Sequence, residues 1–217
     1  MKTETPKKRI AVWGAGGHGH VVADILLRQG KWNLAGFVDN VNPKGSLVMG
    51  IPVLGDRDVL PELRADGVEA MAVAIGNPES HAALMKIARN HGFEFPALVH
   101  PFVSVSPSAL LGEGCVVCAG AIVGPQTELK PGAIVNTHAS LDHDVVVGHC
   151  THVAPGAIVC GYVSIGDFCW IGTGAVIRDH LSVGHRTVIG AGATVLKNIP
   201  DGVTAYGVPA KIVKRND

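Results

Sequence analysis

The chain has 217 residues, enough for one large or two small domains. Its 18 basic and 18 acidic residues cancel, which argues against the broad single-signed patch of a nucleic-acid or membrane-surface binder. With 28 glycines and only 5% aromatic residues, the composition suits tight corners better than a core built on large rings.

Met1 to Arg9 is polar and carries no signal-peptide pattern, and no apolar span is long enough to cross a bilayer. The expectation is a cytoplasmic protein with no membrane insertion. Five cysteines, an odd number, do not suggest a disulfide framework and fit a reducing compartment. Cys115 and Cys118 form a CxxC, but the repeat described below sends them to different places, so they read as structural and no metal site is expected.

Arg9 to Trp13 is a short apolar strand, followed by Gly14-Ala15-Gly16-Gly17-His18-Gly19 and a helical pattern through Val21, Val22, Ile25 and Leu26 that ends near Gly30. Leu34 to Val38 is a second strand, delivering Asp39, and turn residues run from Asn40 to Gly45. Next come a short strand at Pro52–Leu54, a helix over Asp58–Ala65, a buried strand from Ala70 to Ile75 ending in Gly76-Asn77, and a helix over Glu79–His91. Alternating strands and helices predict a small Rossmann-like α/β half-domain over residues 1–97.

The glycine loop matches GxGxxG, and Asp39 lies twenty residues after Gly19, as a dinucleotide fingerprint requires. An NAD-dependent oxidoreductase is therefore one reading. The domain is too short for both halves of a dinucleotide fold, however, and no hydride-acceptor domain follows. A single mononucleotide half can present backbone N–H groups and a helix N-terminus to a nucleotide diphosphate. Gly14, Gly16, Gly17 and His18 would then meet the phosphates, while Asp39, Gly76 and Asn77, at strand C-terminal ends, face the base, ribose or sugar.

Residues 98–217 read differently. Counting in sixes from Val99 to Val195 gives seventeen positions, all Leu, Ile or Val, with none out of phase. A helix cannot gather a six-residue period on one face. Short strands with corners can. Two residues before the aliphatic position a small residue recurs, as at Ala121, Ala139, Ala157 and Ala175, and Gly often follows it. The prediction is a parallel β-helix of three hexapeptides per coil, rising ~4.8 Å each turn and uninterrupted by loops.

His138, His143, His149 and His152 fall close together in this tube, and none occupies an inward position, so all four should point outward. His143 is followed by Asp144, and a carboxylate beside an imidazole fixes its tautomer and suits it to general-base work. Pro155, Thr173 and Ala191 are eighteen apart, so they stack on one edge and leave a slot of small side chains for a thin, amide-bearing ligand.

Asn136-Thr137, His143-Asp144, His152, Pro155-Gly156-Ala157 and Gly207-Val208-Pro209-Ala210-Lys211, behind a glycine loop carrying His18, resemble the sialic-acid O-acetyltransferase and bacillosamine N-acetyltransferase family. The resemblance implies a left-handed β-helix and a homotrimer with acetyl-CoA between neighbouring tubes. By the same resemblance His143 is the base and Asp144 tunes it. Asn136 places the acceptor, and His152, Gly161, Thr173, Ala191 and Lys197 line the acetyl-CoA site. The implied activity is N-acetylation of a UDP- or GDP-linked 4-amino-4,6-dideoxy sugar for a surface glycan. Sialic-acid O-acetylation is the alternative within the family, and a non-catalytic nucleotide-sugar-binding scaffold the alternative outside it.

Overall fold

The computed structural model describes residues 7–216, in two compact units: the described residues up to Gly76 with Ala83–Pro96, and Asn77–Ala82 with Ala97 onward. Among the described residues no helix is long and apolar enough to cross a membrane.

The first unit is built on a five-stranded sheet. Its elements are β1 (Arg9–Trp13), α1 (Gly17–Gln29), β2 (Asn33–Val38), β3 (Leu47–Val48), β4 (Ile51–Gly55), α2 (Leu60–Ala65) and β5 (Val68–Val73). The order is β3-β4-β2-β1-β5, with β1 parallel to both β2 and β5 and only β3 antiparallel. Central strands of a parallel sheet are covered on both faces, and β1 is accordingly apolar after Arg9, with Ile10, Ala11 and Val12 fully buried. Val22, Ile25 and Leu26 give α1 its buried stripe, and Gly30 ends the helix in the left-handed conformation, its N–H donating to the carbonyl of Leu26 at 3.2 Å.

Two local features differ from the sequence reading. The hairpin β3–β4 turns at Met49 and Gly50, both at positive φ, and Met carries none of the usual turn chemistry, which hid the strand before it. The expected Asp58–Ala65 helix begins as a 3-10 turn at Arg57–Val59, where Asp56 accepts from the N–H of Asp58. Then α3 (Pro78–Asn90) follows, with Asn77 Oδ1 accepting from Ser80 N at 2.9 Å at its start.

From Leu98 the chain forms seventeen two-residue strands, β6 (Leu98–Val99) to β22 (Thr194–Val195), each ending on a repeat aliphatic. Each strand from β6 to β19 pairs in parallel with the one eighteen residues on, so that Val117, Val135, Val153, Ile171 and Ile189 stack in one column. The result is a left-handed parallel β-helix with three faces and no interrupting loop. Repeat residues and the small residues before them fill the interior, including Cys115, Ala139, Leu141, Ala157 and Ile165. Each fully buried aliphatic contributes roughly 1.5–3 kcal/mol before the cost of ordering the chain. Strands β23 (Val203–Tyr206) and β24 (Lys211–Arg215) close the C-terminal end as an antiparallel hairpin whose turn holds Gly207-Val208-Pro209-Ala210.

Candidate active site

His143 and Asp144 lie in the corner between β13 (Ser140–Leu141) and β14 (Val146–Val147). Asp144 adopts φ +56°, a left-handed conformation that aspartate tolerates better than most residues. Its N–H donates to Pro125 O one coil below, and Tyr162 N donates to His143 O one coil above, so the corner is fixed from both sides. With the backbone so held, His143 Nδ1 stands 2.9 Å from Asp144 Oδ2. An ionised carboxylate only accepts, so the Nδ1–H donates and Nε2 is left with its lone pair, the arrangement a general base requires.

Gly161, one coil further along the tube, lies against the ring of His143. A Cβ there would lie 2.5 Å from His143 Cε1 and 2.7 Å from Nε2, so only glycine leaves the imidazole its place. The ring of Tyr162 meets His143 edge-on, with centroids 5.1 Å apart, and stacks on His180 at 4.7 Å. Neither Tyr162 nor His180 figures in the sequence reading, although both lie on the column that starts at Asp144 and runs in steps of eighteen.

A second group occupies another part of the tube. Asn136 follows β12 (Ile134–Val135), and its amide Nδ2 lies 2.9 Å from His152 Nε2 while its Oδ1 accepts from Thr137 N. Of the four histidines expected to point outward, His152 alone is buried. It does sit on the outer surface of the tube wall, but it is only 4% exposed because Trp170, its neighbour one coil on, covers it with centroids 4.5 Å apart. His138 and His149 are exposed and His143 is half-buried.

Apart from His152, which lies on a strand, the predicted residues of the tube divide between two edges. His143, Gly161 and Lys197 occupy equivalent positions, eighteen residues or a multiple apart, on the edge between the β13 and β14 faces. Asn136, Thr173 and Ala191 belong to the edge between the β12 and β13 faces, with Gly174 N donating to Pro155 O and Gly192 N to Thr173 O along it. Lys197, Thr173 and Ala191 are exposed. The face between these edges carries exposed Ile122 and Ile158.

In the first unit the glycine loop runs from β1 to the start of α1. Gly14 has φ +111°, and a Cβ at Gly19 would lie 2.0 Å from Gly14 O, so the loop closes tightly on itself. Gly16 and Gly17 meet nothing that a Cβ would touch, which leaves the N-terminus of a thirteen-residue helix open, with no acidic residue in its first turn. His18 lies in that first turn. Asp39 is committed to the loop itself: Oδ2 accepts from Ala15 N at 2.8 Å, and Oδ1 from the N–H groups of Val41 and Asn42. Partial burial disfavours its charge, but these backbone N–H groups outweigh it and hold the carboxyl below its ordinary range. A cavity of about 420 Å³ opens here, lined by Trp13, Gly14, Asp39, Asn40, Arg57 and Leu84. Gly76 follows β5, and Asn77 is occupied in capping α3.

Among the described residues no group of His, Cys, Asp and Glu could hold a metal ion. Burial pushes the thiols of Cys115 and Cys118 up to about 12, which suits neither a metal ligand nor a nucleophile.

Family models match the chain along both units. The PglD N-terminal domain covers residues 9–87, a hexapeptide repeat of succinyl-transferase 105–125, and the bacterial transferase hexapeptide of six repeats 162–197. No curated protein sequence matches. Among solved structures, PerB of Caulobacter crescentus, in complex with CoA and GDP-perosamine, is 39% identical over 94% of this chain and 97% of its own, with a TM-score of 0.90. The acetyltransferase domain of PglB from Neisseria gonorrhoeae, in complex with acetyl coenzyme A, is 40% identical over 96% and 100%, with a TM-score of 0.89. WeeI of Acinetobacter baumannii is 29% identical over 95% and 100%, with a TM-score of 0.86.

Proposed function

The chain belongs to the hexapeptide-repeat sugar acetyltransferases of the sialic-acid O-acetyltransferase and bacillosamine N-acetyltransferase family, and from that premise we propose that it is an acetyl-CoA-dependent N-acetyltransferase acting on a nucleotide-linked 4-amino-4,6-dideoxy sugar. The observation that carries this reading is the His143–Asp144 pair, a base with its lone pair turned away from its carboxylate. The likeness to PerB, bound to CoA and GDP-perosamine, and to the PglB domain, bound to acetyl coenzyme A, supports both substrates.

In the reaction the sugar amine attacks the thioester carbonyl carbon, forming the N–C bond while His143 Nε2 takes the amine proton. A backbone N–H meets the oxyanion. The tetrahedral intermediate then collapses with cleavage of the C–S bond, and the proton passes from His143 to the departing CoA thiolate. The products are the N-acetyl sugar and free CoA. No covalent acyl-enzyme is required: among the described residues no cysteine or serine is hydrogen-bonded to His143, whose side-chain partner is Asp144.

Residues 98–217 would bind acetyl-CoA, with His152, Gly161, Thr173, Ala191 and Lys197 along it and Asn136 placing the acceptor. The division of these residues between two edges of one tube favours a site completed by a neighbouring copy, and hence a homotrimer. Residues 1–97 would hold the nucleotide, with Gly14, Gly16, Gly17 and His18 at the phosphates and Asp39, Gly76 and Asn77 around the base and sugar. A cytoplasmic location fits substrates made in that compartment.

The test is thiol release from acetyl-CoA across UDP- and GDP-linked 4-amino sugars and free sialic acid, with His143→Ala alongside. Turnover on a nucleotide amino sugar, lost in the variant, is the expected result. Turnover on sialic acid alone would replace N-acetylation with O-acetylation, and a variant as active as the parent would remove His143 from the chemistry.

A further inference from the structure

Tyr162 holds φ +58°, much as Gln126, Asp144 and His180 do at the equivalent corners of the same edge and Phe168 does on another, a conformation that is costly for a bulky side chain and that glycine takes at 156, 174 and 192. Its side chain is 53% exposed, so burial of the ring does not repay that strain. What the ring does touch is specific. It meets the His143 imidazole at an interplanar angle of 81° and lies against His180 at 15°.

His143 is therefore held at three points: Asp144 at Nδ1, Gly161 against the ring, and Tyr162 at its side. Removing the third would leave the ring free to rotate about its hydrogen bond into the space that Tyr162 vacates. Resting on the acetyltransferase reading, we infer that Tyr162 is a positioning residue, which fixes the His143 ring so that Nε2 faces the attacking amine, with His180 backing Tyr162 from the other side.

The test compares Tyr162→Asn and Tyr162→Phe with the parent enzyme. Asparagine suits positive φ, so the first variant relieves the backbone while deleting the ring, and thermal unfolding should show a fold at least as stable as the parent's. We expect kcat to fall about tenfold or more in Y162N with both KM values unchanged, and to stay within about twofold in Y162F, because misplacing a reacting group costs rate and leaves binding intact. A second readout needs no substrate: the downfield proton NMR signal of the His143 Nδ1–H, visible in the parent and Y162F and lost to exchange in Y162N. A parent enzyme inactive on every acceptor would fail the acetyltransferase reading, and the proton signal would still decide the role of Tyr162. Full kcat and an intact signal in Y162N would overturn the inference. So would a raised KM for the nucleotide sugar with kcat preserved, which would make Tyr162 a binding residue.

Discussion

Gly161 lies directly against the ring of His143, close enough that a Cβ would stand 2.5 Å from Cε1. The clash is with the tip of a half-exposed side chain, which can swing aside, and not with backbone. Gly161→Ala should therefore keep its fold and unfold within about 1 kcal/mol of the parent. Its kcat should drop by an order of magnitude or more, since a displaced ring misses the amine. Steady-state kinetics beside thermal unfolding checks both halves, and an active Gly161→Ala enzyme would place the ring elsewhere during catalysis.

The pair His143–Asp144 predicts two graded losses. His143→Ala removes the base and should lower kcat by about 10²–10⁴ while acetyl-CoA still binds. Asp144→Asn keeps the left-handed corner, but its amide can offer an N–H to Nδ1 where the carboxylate could only accept. That favours the tautomer with its proton on Nε2, which cannot take one from the amine. The Asp144→Asn enzyme should be slower than the parent and faster than His143→Ala, as measured by thiol release at saturating substrates.

The tube was legible because one residue in six is forced inward without exception from Val99 to Val195, and that signal survives any choice of corner residues. Contacts between corners were less so. Register arithmetic places Tyr162 one coil above Asp144 and Trp170 one coil above His152, but says nothing about which way a large ring lies. Thus the cover over His152 and the ring beside His143 went unseen. In the first unit the twenty-residue spacing brought Asp39 to the glycine loop. It did not show that both carboxylate oxygens would be taken by the chain's own N–H groups. A turn built on Met49 lacks the residues that usually announce a hairpin.

Asp39 gives the first unit an acid-sensitive staple. Its folded pKa lies below its unfolded one, so its stabilising effect is present above about pH 4 and is lost as pH falls through the folded value. Asp39→Ala should destabilise the unit at neutral pH, and the gap from the parent should narrow as the pH falls below about 4. Denaturant unfolding followed by Trp13 fluorescence, with the other tryptophans replaced, reads this directly. A gap that stays constant with pH would mean that Asp39 acts through its shape and not its charge.

The cysteines predict the opposite behaviour in alkali. Burial pushes the Cys115 and Cys118 thiols up to about 12, and those of Cys150 and Cys169 to about 11. Unfolded thiols ionise near 8.5. Between these values the folded chain keeps protons that the unfolded chain releases, so stability falls as pH rises from about 8.5 towards 12. Cys115 occupies the same inward small position as Ala121, Ala133 and Ala139, so Cys115→Ala should fold and should show a shallower alkaline decline. Alkylation of the native protein at pH 8, read by mass spectrometry, should mark the half-exposed Cys160 and spare the other four until denaturant is added. Rapid labelling of Cys115 in the folded protein would mean that the tube opens at its N-terminal coils.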